Sequence, residues 1–126
     1  MKIINKDITT VTDGIICHQV NAHGVMGAGL AKQIKAKFPA AYKIYKAVCD
    51  KAPNPNLLLG SGILVPITDK LQIANLFGQT SFSRKGLHTN YGALQDALEG
   101  VFEEVLARKQ QIYIPYKMGA GLGGGN

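Results

Sequence analysis

The sequence has no tryptophan, only two cysteines, and few acids: eight Asp and Glu against fourteen Lys and Arg in 126 residues. Each shortage excludes something. Cys17 and Cys49, without C-x-x-C spacing, supply neither a disulfide framework nor a thiolate cage, and are expected as reduced, buried thiols. No apolar run approaches the ~18–20 residues of a membrane helix. The opening MKIINKDITT has no apolar stretch behind its lysine, so no export signal is expected and the setting reads as cytoplasmic, without a membrane partner.

The scarce carboxylates also restrict chemistry. Asp96, Glu99, Glu103 and Glu104 fall in one helical segment, Asp69 in a turn, Asp50 at a helix end, and Asp13 just before a strand. Only Asp7 is left for a cleft, which argues against paired-carboxylate hydrolysis and against a two-metal site. The three histidines have no ligand spacing, so no metal and no cofactor are expected. Neither a Gly-x-Ser-x-Gly elbow nor a Walker A loop is present.

Glycine, by contrast, is abundant: fifteen residues, well above the average of about 7%. Two clusters matter. Asn21-Ala-His-Gly-Val-Met-Gly-Ala-Gly29 follows the continuous apolar run Gly14–Val20, which fits a strand buried on both faces. Met118-Gly-Ala-Gly-Leu-Gly-Gly-Gly125 follows a second such run, Gln111–Pro115. Glycine lets backbone N–H groups form a nest at a helix start, where the helix dipole adds positive potential. Either cluster alone equally fits a tight turn. Two of them at the strand ends of one sheet suit a diphosphate gripped from both sides.

The rest of the pattern is α/β. Lys2–Asn5 reads as a short strand. Leu30, Ile34 and Phe38 mark a helix that Pro39 ends or restarts, and Tyr42, Tyr45 and Cys49 continue at helical spacing. Ile63–Ile67 and Leu71–Phe77 read as strands joined by a turn at Thr68-Asp-Lys70, with Pro66 marking an edge position or a strand end. Gly78–Thr89 reads as loop. Asn90 is a candidate N-cap for a helix carrying Leu94, Leu98, Val101 and Val105. A mixed sheet covered on both faces follows. Lys32, Lys35, Lys37, Lys43, Lys46 and Lys51 fall within twenty residues: a solvated face, or a field that attracts polyanions.

His18-Gln-Val-Asn-Ala-His-Gly-Val-Met-Gly-Ala-Gly-Leu, with Lys37-Phe-Pro and Tyr42/Tyr45 beyond it, resembles the first phosphate loop and helix of macrodomains. Lys6-Asp7-Ile8 is similar to that family's adenine site, and Ile114 to Gly125 to its second phosphate loop. The match is closest to the branch holding the yeast ADP-ribose 1″-phosphate phosphatase and the terminal ADP-ribose protein glycohydrolases. The resemblance implies a three-layer α/β/α fold over a single domain, residues 1–126. The family continues past the second loop into a helix and a last strand, so this domain is expected to be C-terminally short. An open sheet edge, and with it a homodimer, is then expected.

The resemblance also implies roles. Asp7 would accept from the adenine amino group, with Ile8 beside the ring or the phosphates; otherwise Asp7 is a turn residue. Asn21 would face the distal ribose, or else be held by its own turn. Gly27, Ala28, Gly29 and Leu30 would donate to one phosphate, and Gly119, Ala120, Gly121, Leu122 and Gly123 to the other. Phe77 and Tyr116 would pack near sugar or adenine, with core packing the simpler role for Phe77. His18 matches a histidine of the phosphatase branch, so His18 and Asn21 are the catalytic candidates, His18 as general acid or base. Its plain alternative is a core histidine; His23 reads as an exposed loop residue.

The glycohydrolases use a lysine and an aspartate that fall here near Gln79 and at Gly123; Lys85 reaches the site only in a shifted register. The expected activity is therefore hydrolysis of ADP-ribose 1″-phosphate to ADP-ribose and phosphate. The alternatives are a non-catalytic reader of ADP-ribose or ADP-ribosylated macromolecules, and a glycohydrolase using Lys85. Nucleic-acid binding through the basic helices ranks last.

Overall fold

A computed structural model describes residues 7–79, 90–105, 110–115 and 118. The expected strand at Lys2–Asn5 lies outside them.

The first strand, β1 (Gly14–Asn21), has apolar residues facing both ways, and both faces are covered. Ile15 and Cys17 point to one layer, Ile16 and Val20 to the other, as the two-residue period of a strand requires. The glycine loop leads into α1 (Gly29–Lys37). Pro39 then opens α2 (Pro39–Lys51), because its missing N–H costs nothing at a first helical position. A short 3-10 turn, Pro55–Leu58, precedes β2 (Gly62–Pro66). Thr68 closes the hairpin by accepting from the N–H groups of Lys70 (3.1 Å) and Leu71 (3.0 Å), and β3 (Leu71–Gln79) follows.

Asn90 caps α3 (Tyr91–Val105) as its side chain implied, accepting from Ala93 N–H at 3.0 Å. Last comes β4, which comprises Ile112–Tyr113 and not the whole of Gln111–Pro115. β3 is longer than expected. Gly78 and Gln79 stay in the sheet because a bulge at Gly78 lets Asn21 pair with Gln79.

The sheet order is β2-β3-β1-β4, with β1 parallel to β3 and β4 and β2 antiparallel at one edge of the described sheet. Pro66 does sit on that edge strand. Helix α3 covers one face through Leu94, Leu98, Val101 and Val105, against Ile15, Cys17, Ala74 and Leu76. Helices α1 and α2 cover the other, where Ile34, Phe38 and Ala41 meet Ile16 and Ile73, and Tyr45 meets Val20 and Phe77. The three-layer expectation is met. Phe77 belongs to this core, fully buried, its ring 5.8 Å from that of Tyr45. Cys17 is buried as expected, and burial pushes its thiol up to about 12. Cys49 is only partly covered.

Strand β1 enters the sheet through Gly14, whose φ of 121° suits glycine. A Cβ there would stand 2.5 Å from the Gln111 carbonyl oxygen. Gly100, on α3, faces open space. Gly14→Ala is therefore expected to lower stability by about 2–3 kcal/mol. Gly100→Ala is expected to raise it by up to about 1 kcal/mol. Urea unfolding midpoints of the two variants check both signs.

Candidate functional site

The parallel strands β1, β3 and β4 all release the chain at the same end of the sheet. After β1 the chain turns into α1 on one face; after β3 it turns into α3 on the other. Adjacent parallel strands whose continuations part in this way leave a crevice beyond their C-terminal ends, where ligands of α/β sheets bind.

The first glycine loop lies at that crevice. Ala22 and Met26 are buried and anchor it, whereas Gly27, Ala28 and Gly29 are exposed. Gly24 and Gly29 take positive φ, 78° and 59°. Ala28, extended, is the N-cap of α1 and provides no side-chain cap; the first helical turn holds no acid. The first helical hydrogen bond runs from Lys32 N–H to Ala28 O at 3.3 Å. The N–H groups before it have no partner within the helix. Exposed donors, the positive end of the dipole and no competing carboxylate make this a place for an anion.

Asn21 does not point into that place. It is 5% exposed, and its amide is spent on the loop. Nδ2 donates to Val25 O (2.7 Å), and Oδ1 accepts from His23 N–H (2.9 Å). Tyr45, reaching up from α2, completes the knot. Its hydroxyl donates to Asn21 O (2.7 Å), lies 2.8 Å from Asn21 Oδ1, and accepts from Val25 N–H (3.0 Å). Burial pushes the phenol well up, so the hydroxyl keeps its proton. Tyr45 holds the loop and was not among the expected site residues. Its helical spacing with Tyr42 and Cys49 marked only a packed face.

The core-histidine alternative describes His18 in this geometry. His18 sits inside β1, 1% exposed, on the face covered by α2. Nε2 is 2.5 Å from Asn75 Oδ1, and Asn75 Nδ2 donates to Ala41 O at 3.1 Å. Because Oδ1 can only accept, the ring proton resides on Nε2. Nδ1 is buried without a partner among the described residues. Burial pulls the imidazole down to about 4, against a smaller upward pull from Asn75. His18 is thus a neutral link between β1, β3 and α2. For Asn21 the turn-held alternative describes the geometry, since all the contacts found for its side chain lie within the loop and Tyr45.

Asp7 is exposed and caps a 3-10 turn, Ile8–Thr10. Its Oδ1 accepts from Thr9 N–H (2.9 Å) and Thr9 Oγ1 (2.7 Å), and these bonds hold its carboxyl below the ordinary carboxylate range. Ile8 packs against the α1 side of the core. Lys37, in the last turn of α1, donates to Thr9 O. Asp7 therefore lies near the far end of α1 from the glycine loop, a helix length of about 13 Å. Any ligand touching both must stretch along α1. Gly119, Ala120, Gly121, Leu122 and Gly123, with Tyr116 and Lys85, lie outside the described residues. Among the described residues no group of His, Cys, Asp or Glu could hold a metal.

Solved structures share this arrangement. A protein of Bacteroides thetaiotaomicron superposes with a TM-score of 0.79 at 28% identity, covering 98% of this chain and 80% of its own. A macrodomain protein of Streptomyces coelicolor gives 0.74 at 23% identity, covering 87% and 74%. The chain has the macrodomain fold. A third neighbour, DarTG of Thermosipho africanus, was solved in complex with ADP-ribose; the TM-score is 0.70 at 22% identity, covering 94% of this chain and 33% of that one.

The expected kinship with the yeast branch is also met. The chain is 32% identical over 101 residues to the ADP-ribose 1″-phosphate phosphatase of Candida glabrata, 76% of this chain and 54% of that protein. It is 38% identical over 73 residues to that of Debaryomyces hansenii, 52% and 41%. The chain thus spans about half or less of the curated relatives it matches. No family model matches it.

Two expectations concern the stability of this fold. Tyr45→Phe should cost about 1–2 kcal/mol and speed amide exchange at Val25 more than at Leu94 in α3, as hydrogen exchange would show. The second concerns pH. His18 has a folded pKa near 4 against an ordinary 6.5, so the unfolded chain binds its proton first. Its contribution is complete above pH 6.5 and declines as pH falls toward 4, by about 3 kcal/mol in all. Urea titrations at pH 7 and pH 4.5 should show the decline, and His18→Gln should lessen it.

Proposed function

We propose that this macrodomain binds ADP-ribose or a close derivative at the strand ends, and hydrolyses ADP-ribose 1″-phosphate to ADP-ribose and phosphate. The observation that carries the reading is the uncapped N-terminus of α1, with Gly27, Ala28 and Gly29 exposed and no acid in its first turn. The shared fold and the names of the yeast relatives support it.

In this reading one phosphate of the diphosphate rests on the N–H groups of Gly27 to Leu30, and the other on those of Gly119 to Gly123. Asp7 and Ile8 receive the adenine along α1. Hydrolysis adds water across the phosphate ester, one proton leaving with each product as pH dictates. Fixed N–H donors stabilise charge that develops on phosphoryl oxygens, without help from an acid or base in van der Waals contact. His18 and Asn21 then act by shaping β1 and the loop. Cytoplasmic residence, a homodimer and ADP-ribosylated macromolecules as partners belong to the same proposal.

A second reading, a binding module without catalysis, is favoured by one observation: both side chains expected to do chemistry are enclosed. Calorimetry with ADP-ribose and phosphate release from ADP-ribose 1″-phosphate separate the two. Micromolar binding with release supports the phosphatase; binding without release leaves the reader; no binding sinks both. Ala28→Asp sharpens the test. An N-cap carboxylate should stabilise the helix by roughly 1 kcal/mol while repelling the diphosphate, so thermal stability should rise as ADP-ribose affinity falls at least tenfold.

A further inference from the structure

Charge is sorted by layer. α1 and α2 carry six lysines and one carboxylate, Asp50; α3 carries four carboxylates and neither Lys nor Arg. The sheet stands between them, so the basic and acidic layers face opposite ways.

Part of the basic layer is organised around the glycine loop. Lys32 and Lys35 are three apart on α1 and therefore share a face. The Lys35 ammonium sits 4.1 Å from the centroid of the Tyr42 ring on α2, held by cation–π attraction. Tyr42 in turn donates to Gly24 O at 3.4 Å. One turn further along α2, the Lys46 stem packs over Gly24, where a Cβ would meet its Cδ at 2.9 Å. Asp50 fixes the Lys46 ammonium at 2.5 Å. Lys32, Lys35, Tyr42 and Lys46 thus form a strip that runs from the two helices to the loop. Two of its cations, Lys35 and Lys46, are steadied by specific contacts.

We propose that this strip is a track for single-stranded nucleic acid, whose terminal phosphate or nucleotide enters the crevice at Gly27–Leu30. A strand of phosphodiesters repeats the one charge that the strip complements, and it can place a phosphate at the loop with the next ones on Lys35 and Lys32, and on Lys46 once phosphate replaces Asp50 in that exposed pair. Cations with an interposed aromatic ring are the usual makeup of such tracks. A membrane surface fits less well. Of the large apolar side chains on α1 and α2, only Ile44 is exposed among the described residues, at 41%. The proposal rests on the anion-binding reading of the loop only for where the strand ends.

The test is fluorescence anisotropy with a labelled single-stranded RNA of about twelve nucleotides, from 50 to 200 mM KCl. Three lysine–phosphate contacts predict a log–log salt slope of about −2, hence roughly a twentyfold loss over that range. The triple variant Lys32→Glu, Lys35→Glu, Lys46→Glu should bind RNA at least tenfold more weakly, whereas Glu103→Lys on α3 should not weaken it. The triple variant should keep the parent's far-ultraviolet circular dichroism, which shows an intact fold, and calorimetry of the parent with ADP-ribose reports on the crevice. Should the reversals unfold the protein, Lys32→Gln with Lys35→Gln takes their place and should lessen the slope by about one or more.

RNA binding that ignores salt, that survives the substitutions, or that is outdone by anionic lipid vesicles overturns the track. RNA binding lost through the strip in a protein that does not bind ADP-ribose sustains the track and overturns the ADP-ribose reading instead.

Discussion

The structure depends on one constraint: β1 is buried on both faces and hydrogen-bonded on both sides. A strand in that position needs an apolar layer above and below, and parallel neighbours that return by helical crossovers. Helices α1 and α2 supply one cover and α3 the other. Their chain paths part above β1 and β3, and the crevice is what remains. The site is thus a consequence of how the sheet is covered, and its loops need only furnish donors.

Two polar threads cross the apolar layer under α2. His18, Asn75 and the Ala41 carbonyl form one; Asn21, Tyr45 and Val25 form the other. A buried polar group is tolerated when bonded and costly when not, so such threads specify one docking of α2 on the sheet. The first sets the height of α2 against β1 and β3. The second transmits that position to the glycine loop, so the exposed N–H groups of α1 inherit the rigidity of the core. The loop can be rich in glycine and still be held in one shape.

The charge distribution follows the same layers. Amphipathic helices fix which residues point outward; which sign they carry is left to selection for solubility or partners. Here the lysine-rich pair of helices is also the pair that flanks the glycine loop, and four of the acids lie on the opposite side. A phosphate approaching the crevice therefore meets a positive field before it meets a donor.

Much of this was legible along the chain. The doubly buried strand, the helix restart at Pro39, the turn at Thr68, the Asn90 cap and the glycine loop before α1 are all local patterns, in which neighbouring residues settle dihedrals and caps. The resemblance of the loop to macrodomains was legible for the same reason, since a nest of N–H groups is made by consecutive residues. Tertiary structure decided the rest. It closed His18 against Asn75, 57 residues away, and spent Asn21 on Tyr45, 24 residues away. It also placed Asp7 along α1 from the loop. A side chain's type states what it can bond, but whether it meets solvent or a core partner depends on groups that only packing brings near.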